Sequence, residues 1–132
     1  LTKAALIDEY MTRSPYSIGP EQHLAAAKAV MGDHDIRHLP VLQRGRLVGM
    51  ISDRDVRLVE TLEDVDPELI TVSDAMSTSV YSVAPGEPLE HVVSEMAARK
   101  VGSAVVMRGE DVVGIFTTVD ACQALASLLR GA

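Results

Sequence analysis

Tryptophan is absent from this 132-residue chain, aromatic residues make up 3% of it, and Cys122 is its single cysteine. So few aromatics exclude a base-stacking platform for nucleic acid. A lone thiol cannot close an internal disulfide, which suits a reducing cytoplasm. No stretch approaches the roughly 20 apolar residues of a membrane helix. The first ten residues include Asp8 and Glu9 and form no apolar signal segment. The chain begins with Leu rather than Met, which reads as a trimmed chain or a piece of a longer one. Basic residues are also scarce, with Lys+Arg 12 against Asp+Glu 19 and a net charge of -7. That balance argues against DNA or RNA as partner, because neutralising phosphates supplies most of such affinity. What is plentiful is hydrophobic residues, at 47%, enough to bury one ordinary core without disulfides or a structural metal.

The charge is uneven. Between Ile36 and Leu58, five arginines (Arg37, Arg44, Arg46, Arg54, Arg57) face Asp53 and Asp55, a local +3 in an acidic chain. Such a patch can hold a small anion without attracting a polyanion. From composition alone, a solvated charged rim is the favoured reading.

The chain is written twice. At an offset of 65 with no gap, Met11 falls on Met76, Tyr16-Ser17 on Tyr81-Ser82, and Pro20 on Pro85. Leu24, Met31, Val41, Val48-Gly49 and Asp55 meet Leu89, Met96, Val106, Val113-Gly114 and Asp120. Two copies are too few for a solenoid. Two units closing around a pseudo-twofold axis are expected instead. Each unit reads β-α-β-β-α after a short helical lead-in ending at Met11 or Met76. Tyr16–Ile18 and Tyr81–Val83 are short strands. Leu89, Val92, Val93, Met96 and Ala97 have helical spacing, as do Leu24, Ala27 and Met31. Unbroken apolar runs, 39–42 with 47–51 and 104–107 with 112–116, suit strands covered on both faces. Closing helices run from Asp53 to about Leu62 and from Thr118 to Leu129. The second is expected to bury Cys122, Leu125, Ala126 and Leu129. The six methionines fit as flexible core filler. The expected class is α/β (α+β), with repeat 1 at 7–62, a linker at 63–71 around Asp66-Pro67, and repeat 2 at 72–129.

Three features could carry chemistry. His34 and His38 have the spacing of a zinc pair on a helix, but Pro40 biases Leu39 to an extended backbone. The helix then ends near Asp35, and two histidines four apart in an extended chain lie roughly 13 Å apart. No metal is expected. Cys122 has no histidine or acid at helical spacing and reads as structural. The third feature is the junction Gly49-Met50-Ile51-Ser52-Asp53-Arg54-Asp55, matched by Gly114-Ile115-Phe116-Thr117-Thr118-Val119-Asp120. The spacing Ser/Thr-x-x-Asp is a capping box. The same atoms can bind a ligand, since a helix N-terminus holds phosphate and a carboxylate one turn in can accept both hydroxyls of a ribose. A glycine two strand positions back would leave room for a flat ring. Capping alone does not require the glycine in both copies, so the repeat favours ligand binding.

These strings, with Ile36-Arg37-His38-Leu39-Pro40-Val41 before the first, resemble a tandem pair of CBS domains, a Bateman module, over about Ile7 to Leu129. They are similar to stand-alone bacterial CBS-pair proteins of the acetoin-utilisation type. The resemblance implies a non-catalytic regulator that binds AMP, ADP or ATP, with S-adenosylmethionine also possible, in two clefts between the repeats. It also implies a homodimer that signals to an effector protein. The main cleft would join Thr117 and Asp120 to Pro15, Tyr16, Arg37, His38 and Arg54. There Asp120 would accept the ribose hydroxyls, Thr117, Arg37, His38 and Arg54 would meet phosphate, and His38 would add pH sensitivity. The second cleft would join Ser52 and Asp55 to Val80, Tyr81, Gly102, Ser103 and Val119. Its basic positions are gone, so it is expected to bind weakly, take a less charged ligand or stay empty. A ligand-free dimerisation or docking module of the same fold is the alternative.

Overall fold

The computed structural model describes residues 4–131; Leu1 to Lys3, where the chain start was read, lie outside them. The chain divides into two compact bodies. One holds residues 16–80, the other the described residues up to Pro15 together with those from Tyr81 onward. In the first body, α1 (Leu24–His34) leads to the antiparallel hairpin β2 (His38–Gln43) and β3 (Arg46–Ser52). Helix α2 (Asp53–Glu60) and the single turn α3 (Val72–Ala75) follow. In the second body, a 3-10 turn at Ile7–Glu9 and β1 (Thr12–Arg13) precede β4 (Ser82–Val83) and α4 (Leu89–Arg99). Strands β5 (Ser103–Arg108) and β6 (Asp111–Thr117) and helix α5 (Thr118–Leu129) complete it. Its sheet order is β1-β6-β5-β4. Where β1 and β4 pair in this sheet, the first body has single bridges, Met50 with Ser77 and Ile18 with Val41.

Local chemistry repeats with the sequence. Helices α1 and α4 end on left-handed residues, Asp35 (φ 50°) and Lys100 (φ 56°), which turn the chain back toward the sheet. Arg44 and Gly45 both have positive φ, 52° and 79°, and close the β2–β3 hairpin. Both hairpins shift register at matching places, Val41/Leu42 and Val106/Met107.

The two cores match at most positions, with one exchange. Ile18, Leu24, Met31, Leu39, Val41 and Ile51 form one, and Val83, Leu89, Met96, Ala104, Val106 and Phe116 the other. But Ile7, from the first copy, sits in the core of the second, while Val72 sits in the core of the first. The backbone explains the seat. Ile7 N–H donates to Glu87 O (2.8 Å) and Asp8 N–H to Pro85 O (3.2 Å). In the other body Val72 N–H donates to Gln22 O (2.8 Å) and Ser73 N–H to Pro20 O (2.9 Å). Packing therefore divides the chain at other points than the repeat boundaries 7–62 and 72–129. A lead-in is an apolar hook of one turn, and burying its Ile or Val side chain contributes about 2 kcal/mol.

Helix α5 departs from expectation. Cys122 is exposed, and so are Leu125 (57%) and Leu129 (78%), while Ala126 is half-buried. The inward side is instead Asp120 and Ala124, with Ala121 packed at the core's edge. The capping box at Thr117 faces inward and fixes the helix rotation, so the residues one turn on from Asp120 turn in with it. Leu125 and Leu128, with Val93 of α4, line an apolar groove with Ala5 and Leu89. Lys28 and Glu60 stand at the positions of Val93 and Leu125 in the other body, joined there as an ion pair.

Candidate ligand-binding site

Each body carries one Ser/Thr-x-x-Asp motif at the end of a strand, and both are complete capping boxes; Thr71 and Asp74 form a third at the start of α3. Asp55 Oδ2 accepts from Ser52 N–H (2.9 Å) and Ser52 Oγ (2.9 Å), while Asp55 N–H donates back to Ser52 Oγ (3.2 Å). Asp120 Oδ2 accepts from Thr117 N–H (2.9 Å) and Thr117 Oγ1 (3.2 Å), and Asp120 N–H donates to Thr117 Oγ1 (3.4 Å). Capping and binding therefore use the same carboxylates. The copies differ at the second oxygen. Asp120 Oδ1 accepts from Thr12 Oγ1 at 3.0 Å. Asp55 Oδ1 has no hydrogen bond among the described residues.

The glycines of the motif have another role than the one expected. A Cβ on Gly49 would lie 2.6 Å from Met76 Sδ and 2.8 Å from the Ser77 carbonyl. One on Gly114 would run into Met11 and lie 3.0 Å from the Thr12 carbonyl. The space is filled by the segment following each lead-in, not left for a flat ring. Thr12 pairs with Ile115 and Arg13 with Gly114, so the glycine lets β1 cross at close range.

The expected main set divides between the bodies. Pro15, Thr117 and Asp120 belong to one; Tyr16, Arg37, His38 and Arg54 belong to the other, with Ser52, Asp55 and Val80. Within that second group the register is tight. His38 pairs with Ser52 across the hairpin, and Asp53 N–H donates to Arg37 O at 2.8 Å. The matching places on the other body hold Ser103 opposite Thr117, and Thr118 N–H donates to Gly102 O at 3.2 Å. Arg37 and Arg54 are exposed, whereas Val119, at the position of Arg54, offers only an exposed apolar surface (61%).

His38 is half-buried, and that burial is the main cause holding its pKa below the ordinary histidine value; Asp55 opposes the shift, Arg37 adds to it, and Asp53 opposes it. The imidazole therefore resists protonation when no anion faces it. The sign follows. The unfolded chain takes up this proton near 6.5 and the folded one at lower pH. The stabilisation is present above about 6.5 and is lost as pH falls through the folded value. His38→Gln should flatten the fall in stability between about pH 6.5 and 5, read from urea midpoints across that range. An unchanged slope would show that His38 does not contribute.

Two rings among the expected ligand contacts are also held within their own bodies. Tyr16 stacks on His34 with centroids 3.7 Å apart and planes at 14°. The Arg99 guanidinium lies 4.5 Å from the centroid of Tyr81. Positions 34 and 99 are 65 apart, so each tyrosine meets a basic residue from the last turn of the helix that follows it, α1 or α4. His34 is thus in a stack and His38 in a strand. No group of three metal-ligating side chains occurs among the described residues. No helix among them is long and apolar enough to cross a membrane. Tyr81 has its pKa raised, chiefly by burial and next by Glu95.

The CBS domain family model matches residues 7–60 and 72–127. CBS domain-containing protein YhcV of Bacillus subtilis is 30% identical over 114 residues, covering 86% of this chain and 81% of that protein. The crystal structure of an acetoin utilization protein (AcuB) from Vibrio cholerae superposes with TM-score 0.87 at 29% identity, covering 97% of this chain and 95% of that one. The CBS domain pair of protein MJ0100, solved with 5-methylthioadenosine and S-adenosyl-L-methionine, has TM-score 0.86 at 23% identity, covering 95% and 98%. At that identity the likeness to MJ0100 is one of fold.

Proposed function

We propose that this chain, which belongs to the CBS domain family, is a non-catalytic regulatory module that binds an adenosyl ligand and passes its bound state to an effector protein through a homodimer. The observation that carries this reading is the recurrence, in one register, of a carboxylate fixed by its own Ser or Thr at a strand-to-helix junction. Asp120 and Thr117 are the proposed ribose pair of the main site. Arg37, His38 and Arg54 supply the phosphate contacts, and Pro15 and Tyr16 the adenine contacts. Charge-assisted bonds from Arg are the strong kind, so AMP, ADP or ATP are the ligands expected there. Ser52 and Asp55, with Val80, Tyr81, Gly102 and Ser103, offer a ribose pair without cations. That set suits an adenosyl compound lacking phosphate, such as the two molecules bound by the MJ0100 pair.

Isothermal titration with AMP, ADP, ATP and S-adenosylmethionine tests the reading. Saturable binding of at least one nucleotide, weakened tenfold or more by Arg37→Ala, is the expected result. If none of the four binds, the module acts by docking alone and its carboxylates serve only as caps.

A further inference from the structure

We infer that the Thr12 hydroxyl is a specificity-determining group, an internal stand-in for one ribose hydroxyl at Asp120, which sets how tightly that carboxylate takes a ligand. The inference rests on the adenosyl reading above but goes beyond it, because Thr12 belongs to neither expected contact set.

Asp120 is nine-tenths buried, and both of its oxygens already accept hydrogen bonds: Oδ2 two from its own capping box, Oδ1 one from Thr12. Thr12 lies on β1, where it pairs with Ile115, and its side chain is otherwise exposed. The residue 65 positions on is Ser77, at the same backbone place, bridged to Met50 by bonds of 2.9 Å in each direction. Ser77 Oγ nevertheless contacts the Ser79 carbonyl at 3.5 Å, and Asp55 Oδ1 is left without a bond among the described residues. The backbones are equivalent, but the side chains take different partners. Threonine is stiff at χ1 because it is branched at Cβ, so β1 can hold its hydroxyl toward Asp120. Serine has no such restriction.

The consequence is a difference in what a ribose must displace. Two vicinal hydroxyls donate two hydrogen bonds to a carboxylate. At Asp55 one oxygen is open to them. At Asp120 a ribose hydroxyl on Oδ1 must share that oxygen with Thr12 or replace it, so it gains less than at an open oxygen. Thr12 therefore tempers the nucleotide site and narrows it to ligands that also bring phosphate. Adenosyl ligands without phosphate are left to Asp55.

The test is AMP and S-adenosylmethionine titration of the full chain with Thr12→Val, Thr12→Ala and Ser77→Ala. Valine keeps the shape and the strand preference of threonine; alanine guards against any packing effect of the added methyl. Both Thr12 variants should bind AMP roughly tenfold tighter, and the gain should vanish when Asp120→Ala is added. Ser77→Ala should leave AMP affinity unchanged. If wild type binds AMP and the Thr12 variants bind it equally or more weakly, the inference fails while the adenosyl reading stands. If neither wild type nor the variants bind either compound, both fail.

Discussion

Gly114→Ala is expected to cost about 1–3 kcal/mol of stability, the range for overpacking a close contact. For a chain of this length that is a fall of roughly 4–15 °C in melting midpoint. Its Cβ would meet Met11 and the Thr12 carbonyl, and a carbonyl in a paired strand cannot move alone. Relief requires β1 to lift from β6, which would also carry Thr12 away from Asp120. Gly49→Ala should behave alike, since its Cβ would lie 2.8 Å from the Ser77 carbonyl. Gly86→Ala is the control. It has open space around it and no positive φ, so it should leave the midpoint unchanged or slightly raised. Equal midpoints for all three variants would mean that the glycines do not hold the crossing strands.

The two motif aspartates should differ in stability before any ligand is added. Asp55→Ala removes the acceptor of one capping box on a half-buried residue, a loss of about 1 kcal/mol. Asp120→Ala removes the acceptor for Thr117 N–H, Thr117 Oγ1 and Thr12 Oγ1 at a buried place. The Thr12 bond and the deeper seat of Asp120 add to the loss, so about 2 kcal/mol is expected. Urea unfolding of the two variants in parallel measures the difference. Equal losses would show that the Thr12 bond contributes nothing to the free protein.

Much of this was legible in the sequence because periodicity and the 65-residue offset report burial directly. Leu24, Ala27 and Met31, and Leu89, Val92 and Met96, are buried as their spacing requires. The hairpins and junctions fall where the apolar runs and Gly turns place them. The exchange of lead-ins was not legible, because Ile7 and Val72 are equivalent by sequence and either could seat on either core. Helix α5 misled through its leucines. Its rotation is set by the inward capping box and by small residues, Ala121 and Ala124, that carry little hydrophobic signal. The glycines were recognised as necessary but assigned to the wrong neighbour, since a sequence shows that space is required and not what fills it. Thr12 gave one available sign: the other copy has Ser77 at its position, between the repeated Met11/Met76 and Ser14/Ser79.

Melting curves with excess AMP, ADP, ATP and S-adenosylmethionine, for wild type, Asp120→Ala and Asp55→Ala, test the central claim most directly. A ligand at about 100 times its dissociation constant adds roughly 2.7 kcal/mol, which at this chain length raises the midpoint by about 8–15 °C. The account predicts such a rise with a nucleotide, lost in Asp120→Ala and kept in Asp55→Ala, each compared with its own ligand-free midpoint. No rise with any of the four, or an equal rise in both variants, would contradict it.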